Sequence, residues 1–330
     1  MSIFASTTQS ARISVNSQSL PHRCLIILLG THSNCLHKPW SLPKTTSHSP
    51  IGSRNFITYL TSDYNQTTMN LFIHHETQYT YESTAQHSIQ LLRLTPQTTA
   101  GQIINKWQLS VPNIGNEFFD GYGNFCTIIN VHEPHQTLRF SVDGEVDLIY
   151  GLTHIKDERN PAGLFLKQTP LTRCSDAMLA FASPYFSHPI TQHRLIDFSH
   201  ALLDHVVYAP GETHVMTTAD EAFDLQRGVC QDHTHIFLAC ARHFQLPARY
   251  VSGYLFTDDI DHAATHAWAE VYLNGDWYVF DTSNRLFTPS QHIQLAIGLD
   301  YNDGAPIRGV RVGGGQEKMN YAVSVMNEQQ

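Results

Sequence analysis

The stretch QRGVCQDHTHIFLACARHF, residues 226–244, puts a thiol, Cys230, where an apolar helical repeat begins. Serine, aspartate or asparagine would cap a helix better at that point. The first turn of a helix, however, carries free N–H groups and a positive partial charge. A thiolate is stabilised there, and its pKa can fall well below the usual thiol value. The same N–H groups can hold the oxyanion of a tetrahedral intermediate. Cys230 is therefore a candidate nucleophile, with its own backbone N–H as one natural oxyanion donor; Gln226 and Gln231 are near enough to be considered, and neither is singled out. Asp232 argues the other way, since it disfavours a neighbouring anion unless it points elsewhere or is paired. Cys240, in the middle of the same repeat, reads as a buried structural cysteine.

A nucleophilic thiol needs a base. HAWAEVYLNGDWYVFD, residues 266–281, supplies one. Asn274-Gly275 is a strong two-residue hairpin signal. With those two residues as the loop, Tyr272 faces Trp277 and, counting back, Trp268 faces Asp281. His266 is two residues from Trp268 and shares its face of the sheet. His266 and Asp281 are then diagonal neighbours, close enough for imidazole and carboxylate to meet. A three-residue loop would turn Asp281 to the other face, because a slip of one residue inverts every side chain. His266 could take the thiol proton and later protonate a leaving group, and Asp281 could hold the imidazole tautomer. Trp268 and Trp277 read first as packing of the hairpin and second as the floor of an acyl-binding groove. Tyr254 and Asp232 are plausible supports of the site. Asp258, Asp259 and Asp261 form an acidic loop before His266 that lacks the ligand alternation of a calcium loop.

Elements to hold these groups are visible on both sides. TRCSDAMLAFASPYF, ITQHRLIDFSHALLDHVVY and TTADEAFDLQRGV have helical spacing, the last with Thr or Asp near its start and Gly228 after its end. The helix from about Cys230 to Phe244 is apolar nearly all round, which predicts a central, buried helix stopped by Pro247. ARYVSGYLF and HAWAEVYLNGDWYVFD read as strands. Helices followed by antiparallel strands indicate an α+β domain over residues 166–330. Between 69 and 165 the pattern is β: LFIHHETQYTYES, SIQLLRLTP, KWQLSVPN, FCTIINVHE and TLRFSVDGEVDLIY. Asp143-Gly144 suggests a further tight hairpin, and the region as a whole a small β-sandwich.

The front differs. Residues 1–68 are rich in Ser and Thr and hold five basic residues against one acidic residue, Asp63. CLIILLG is too short and too late for a signal peptide. Met69 opens the first patterned segment, so residues 1–68 are expected to be a disordered or non-native extension. The whole chain of 330 residues carries a formal charge of -9 with no basic patch, which speaks against nucleic acid as a partner. No run approaches a membrane span. The six cysteines form no CxxC pair and are too sparse for a disulfide scaffold, so a reduced, cytoplasmic setting is expected.

The segments GVCQDHTHIFLACARHFQLPARYVSGYL and HAWAEVYLNGDWYVFDTSNR resemble the core of the transglutaminase-like superfamily. Cys230, His266 and Asp281 fall on that family's Cys, His and Asp positions. Upstream, HETQYTYES, LLRLTPQ and DGYGNF resemble the N-terminal β region of its bacterial members, as HIQLAIGLDYNDGAPIRGVRVGGG resembles their C-terminal end. The resemblance implies a papain-like fold, a thioester acyl-enzyme, a protein or peptide substrate and no cofactor. Water as acceptor makes a protease or amidase; an amine makes a cross-linking transferase. Bacterial members of this architecture look more like hydrolases. Rival readings are a metal hydrolase using His233, His235, His262 and His266, a non-catalytic binding module on the same fold, and an arylamine acyl transferase. The first is disfavoured because residues two apart on a helix diverge by about 200°.

Overall fold

The computed structural model describes residues 67–113, 115–257 and 265–327. The front segment up to residue 66, the acidic loop and His262 lie outside the described residues. Five strands come first: β1 (Thr68–Leu92), β2 (Gln102–Ser110), β3 (Asn116–Phe119), β4 (Phe125–Val131) and β5 (His135–Ile149). The two runs expected as separate strands, LFIHHETQYTYES and SIQLLRLTP, are continuous in β1. Its first half pairs with β5 and its second half with β4, with an irregularity between Thr80 and Ala85. The two halves of β1 thus serve two groups of strands that enclose one apolar core, including Leu71, Ile73, Leu92, Ile129, Phe140 and Val146.

Asp143-Gly144 is not a hairpin. Both residues run straight through β5, where Gly144 pairs with Ile73 on one side and Trp107 on the other. The glycine answers a packing demand instead: a Cβ there would lie 2.3 Å from the Trp107 ring. Its missing side chain gives the indole its bed.

The helical section contains α1 (Asp176–Ala182), α2 (Gln192–His205), α3 (Ala219–Leu225) and α4 (Cys230–His243), with the short parallel pair β6 (Val207–Tyr208) and β7 (Arg227–Gly228) beside them. Thr218 and Glu221 form a capping box at the start of α3. Gln226, with φ 57°, ends that helix in the role expected of Gly228. Helix α4 is buried from Gln231 to Arg242 and packs on Tyr250, Ala267, Ala269 and Val271. Its near-complete apolar circumference is explained by neighbours on every side.

The second sheet has the order β10-β9-β8-β11 and is antiparallel throughout: β8 (Ala248–Leu255), β9 (Thr265–Leu273), β10 (Asp276–Phe280) and β11 (His292–Gly298). Its edges are closed by other parts of the chain. On β11, the Gln102 side-chain amide bonds both the Gln294 N–H and its carbonyl, at 2.8 and 2.9 Å. Asn124 does the same for Ile297, at 2.8 and 2.7 Å. On β10, Ile155 exchanges both main-chain bonds with Trp277. A short α5 (Tyr301–Gly304) then leads to β12 (Ile307–Gly313) and β13 (Glu317–Asn327).

These last two strands run back across the expected boundary at 165/166. They leave the second sheet and pair with β1, β12 along its second half and β13 along its first. A strand of 25 residues presents two long edges, and the first four of its successors cover only one of them. The described residues accordingly fall in one compact unit.

Candidate active site

Cys230 is the first residue of α4, half-buried, with Val229 before it in extended conformation. The Asp232 and His233 N–H groups both bond the Val229 carbonyl, at 3.0 and 3.1 Å, which leaves those of Cys230 and Gln231 as the first-turn donors. Asp232 removes the objection raised by its charge. Its Oδ2 accepts from the Val229 N–H at 2.8 Å and from the Thr213 hydroxyl at 2.7 Å. It reaches back to cap the helix rather than toward the thiol. Burial raises its pKa above the ordinary carboxylate value, which the two hydrogen bonds oppose. This turn explains Gly228, since a Cβ there would stand 2.6 Å from the Asp232 Cβ.

The hairpin β9–β10 has the two-residue loop Asn274-Gly275, both with positive φ, 53° and 103°. Leu273 faces Asp276, Tyr272 faces Trp277, and Ala269 faces Phe280. The next step of that register brings Asp281 to the row of Trp268, as the loop length requires. The Asp281 backbone is pinned by two main-chain bonds with Leu286. The His266 Nε2–H donates to Asp281 Oδ2 at 2.8 Å. That bond occupies Nε2 and leaves Nδ1 as the nitrogen available to Cys230, which lies close enough to raise the pKa of the ring. The three residues read from the sequence therefore meet in one place. Burial alone would drive the His266 pKa down; the Asp281 charge, the Asp281 hydrogen bond and Cys230 outweigh it and push the imidazole up to about 10. Burial would likewise raise Asp281, but His266 and His292 together hold it far below the ordinary range. The site is thus built to keep an imidazolium beside the sulfur.

Three partners of the carboxylate were not singled out from the sequence. His292, from β11, donates from Nε2 to Oδ2 at 3.1 Å. Asn284 donates its backbone N–H to Oδ1 at 3.2 Å and its amide to Oδ2 at 2.9 Å. The Ser283 hydroxyl donates to Oδ1 at 3.1 Å. The Asp281–Asn284 turn had a signal in DTSN, an aspartate followed by residues that fold back on it. His292 had none, because it reaches the site only through the pairing of β11 with β8.

The other residues considered have different roles. Trp268 and Trp277 are buried, not groove-lining. Trp268 lies against His266 and His292 and donates to Glu270. Trp277 packs under the Arg249 guanidinium and donates to the Asp157 carbonyl. The Tyr254 hydroxyl meets His75 Nδ1 at 2.8 Å and ties the two sheets together. The Gln231 amide donates to the Val215 carbonyl, so it serves the loop and not an oxyanion. Gln226 is an exposed helix terminus. Cys240 is fully buried, which raises its pKa well above the ordinary value.

Of the histidines weighed as metal ligands, those among the described residues do not converge. His233 faces the Val229 and Val206 carbonyls, and His235 accepts from the Tyr301 N–H. Among the described residues, the cluster with ligand-like spacing is His266, Asp281 and His292, whose donor atoms lie within 4.8 Å of one another. The Nε2 atoms of both histidines are already spent on the carboxylate, so a cation bound through them would have to break the arrangement that orients His266.

Family models match the chain in two places: the bacterial transglutaminase-like N-terminal region at residues 71–147 and the transglutaminase-like superfamily core at 190–282. An uncharacterized protein of Mycobacterium tuberculosis is 30% identical, over 72% of this chain and 85% of its own length. An uncharacterized protein of Mycobacterium leprae is 26% identical, over 76% and 96% respectively. A solved structure from Cytophaga hutchinsonii, provisionally described as a cysteine protease, has the same fold: TM-score 0.66 at 22% identity, covering 79% of this chain and 91% of that one.

Proposed function

This chain belongs to the transglutaminase-like superfamily, and we propose that it is a thiol acyl-enzyme acting on peptide or amide bonds, in the first place a hydrolase. The observation that carries the reading is His266, bonded to Asp281 through Nε2 and close to Cys230 at the mouth of α4. The Cys230 sulfur attacks the carbonyl carbon, and the developing oxyanion is held by the N–H groups of the first helical turn. His266 gives its proton to the departing amine, and a thioester remains on Cys230. His266 then removes a proton from water, which adds to the thioester, and the acid leaves as the thiol is restored. Asp281 keeps the imidazole in the required tautomer throughout. Tyr208, Val215 and Met216 are exposed. Gln231 and His233, both in the first turn of α4, touch Val215 and Tyr208. These side chains favour apolar groups on the acyl donor.

The acceptor is tested with a panel of peptide and amide donors, with and without a primary amine. Acid release at the same rate in both conditions supports the hydrolase. Stable incorporation of the amine in place of acid identifies a transferase with the same chemistry. Failure of every donor, with Cys230 no more reactive than a free thiol, returns the chain to a binding role.

A further inference from the structure

The carboxylate of Asp281 serves two imidazoles. His266 and His292 both direct Nε2 at the same oxygen, Oδ2, at 2.8 and 3.1 Å. They come from different strands, β9 and β11, which are not neighbours but lie on either side of β8. Asp281 is fully buried and His292 nearly so. A carboxylate only accepts, so His292 must present an N–H at Nε2. Its other nitrogen, Nδ1, is buried and has no partner among the described residues. The ring is therefore not held by hydrogen bonds at both ends. It is held by Asp281 and by the Trp268 ring, 4.7 Å away between centroids. Buried His235 shares that feature, with Nδ1 unpartnered and Nε2 accepting from the Tyr301 N–H; what sets His292 apart is that its one hydrogen bond goes to the carboxylate oxygen that also holds His266.

We propose that His292 is a positioning residue for the acyl-transfer site, acting through Asp281 on His266. It does two things. It fixes the carboxylate from a third strand, so that Oδ2 stays in line with His266. It also takes up part of the negative charge on Oδ2, which weakens the hold of Asp281 on the His266 proton and keeps that proton transferable. Among the described residues, the charged and titratable groups facing this cluster are few. Cys230 and Asp232 approach from α4, with Asp232 turned to its cap. His233, also on α4, senses Asp281 but is spent on backbone carbonyls. Tyr208 lies within the field of Asp281 and Cys230. Glu270 shares a small cavity with His292 and is neutralised by Arg249 at 2.6 Å. None of these replaces the His292 bond to Oδ2.

The inference rests on the reading of Cys230 as the nucleophile, and the test separates the two. The rate of Cys230 alkylation by iodoacetamide is followed from pH 4 to 11 in the wild type, His292→Gln and His292→Leu, with the modified cysteine identified by peptide mapping. Glutamine places an N–H close to the position of Nε2; leucine fills space and offers none. In the wild type Cys230 is expected to react much faster than the buried Cys240, with an inflection where His266 loses its proton. In His292→Leu that inflection moves up by about half to one pH unit, since a carboxylate with fewer donors binds the imidazolium more tightly. Its turnover per alkylatable Cys230 falls at least about tenfold. His292→Gln keeps both properties within about threefold of the wild type. A leucine variant with the wild-type profile and turnover overturns the inference, as does a glutamine variant as impaired as the leucine variant. A wild-type Cys230 that alkylates like an ordinary thiol overturns the underlying reading instead.

Discussion

Replacing Asp281 by asparagine exchanges one oxygen for an NH2 group and should undo the site. The carboxylate accepts from His266 and His292 at Oδ2, from Ser283 and the Asn284 backbone at Oδ1, and from the Asn284 amide at both oxygens. Whichever way the new amide sits, its NH2 group points at donors. With NH2 toward His266, the imidazole must move its proton to Nδ1 and can no longer accept from Cys230. An imidazole pushed up to about 10 from an ordinary 6.5 is held in its charged form by roughly 5 kcal/mol, at about 1.4 kcal/mol per tenfold. Without the carboxylate, burial drives that pKa the other way. Turnover should fall by about 10⁴, as when the acid of a serine triad becomes an amide. Stability carries a second signature. A folded-state pKa raised above the unfolded value contributes stability that is complete below the unfolded pKa and is lost as pH rises through the folded one. For His266 that window runs from 6.5 to about 10. Urea unfolding of the wild type should therefore lose several kcal/mol across this range more than Asp281→Asn does. An Asp281→Asn protein with wild-type turnover, or with the same alkaline loss of stability, would refute the reasoning.

Two further substitutions test how the scaffold holds the site. Gly253→Ala places a Cβ 1.9 Å from the Ile293 carbonyl, on the strand residue facing His266; a backbone oxygen cannot yield, so unfolding experiments should show a loss of at least about 3 kcal/mol, or no soluble protein. Gln102→Ala strips both partners from Gln294 on the edge of β11; urea titration should show a loss of roughly 2–3 kcal/mol, with faster hydrogen exchange at β11.

The geometry of the candidate site was legible because its signals are local. An asparagine-glycine turn fixes the hairpin register, and register alone decides that Asp281 shares a face with His266. A helix that is apolar all round declares its depth, and α4 begins where the repeat begins. The parts that were not legible depend on distant neighbours. Asp143-Gly144 has the letters of a turn, yet Trp107 decides its conformation from another strand. The return of β12 and β13 to β1 is a matter of an open edge far back in the chain. His292 reaches Asp281 because β11 pairs with β8, a contact between strands separated by the whole β9–β10 hairpin. Asp232 was ambiguous as a charge and became clear only as a cap on Val229.

The most direct measurement is to trap the covalent intermediate. The protein is mixed with an activated acyl donor, quenched in acid within the first turnover and digested for mass spectrometry. The account predicts the acyl mass on the Cys230 peptide, labile to hydroxylamine as a thioester is, and its absence in a folded Cys230→Ala protein that has lost turnover. Turnover that survives in Cys230→Ala, or an acyl group carried by another residue, would contradict it.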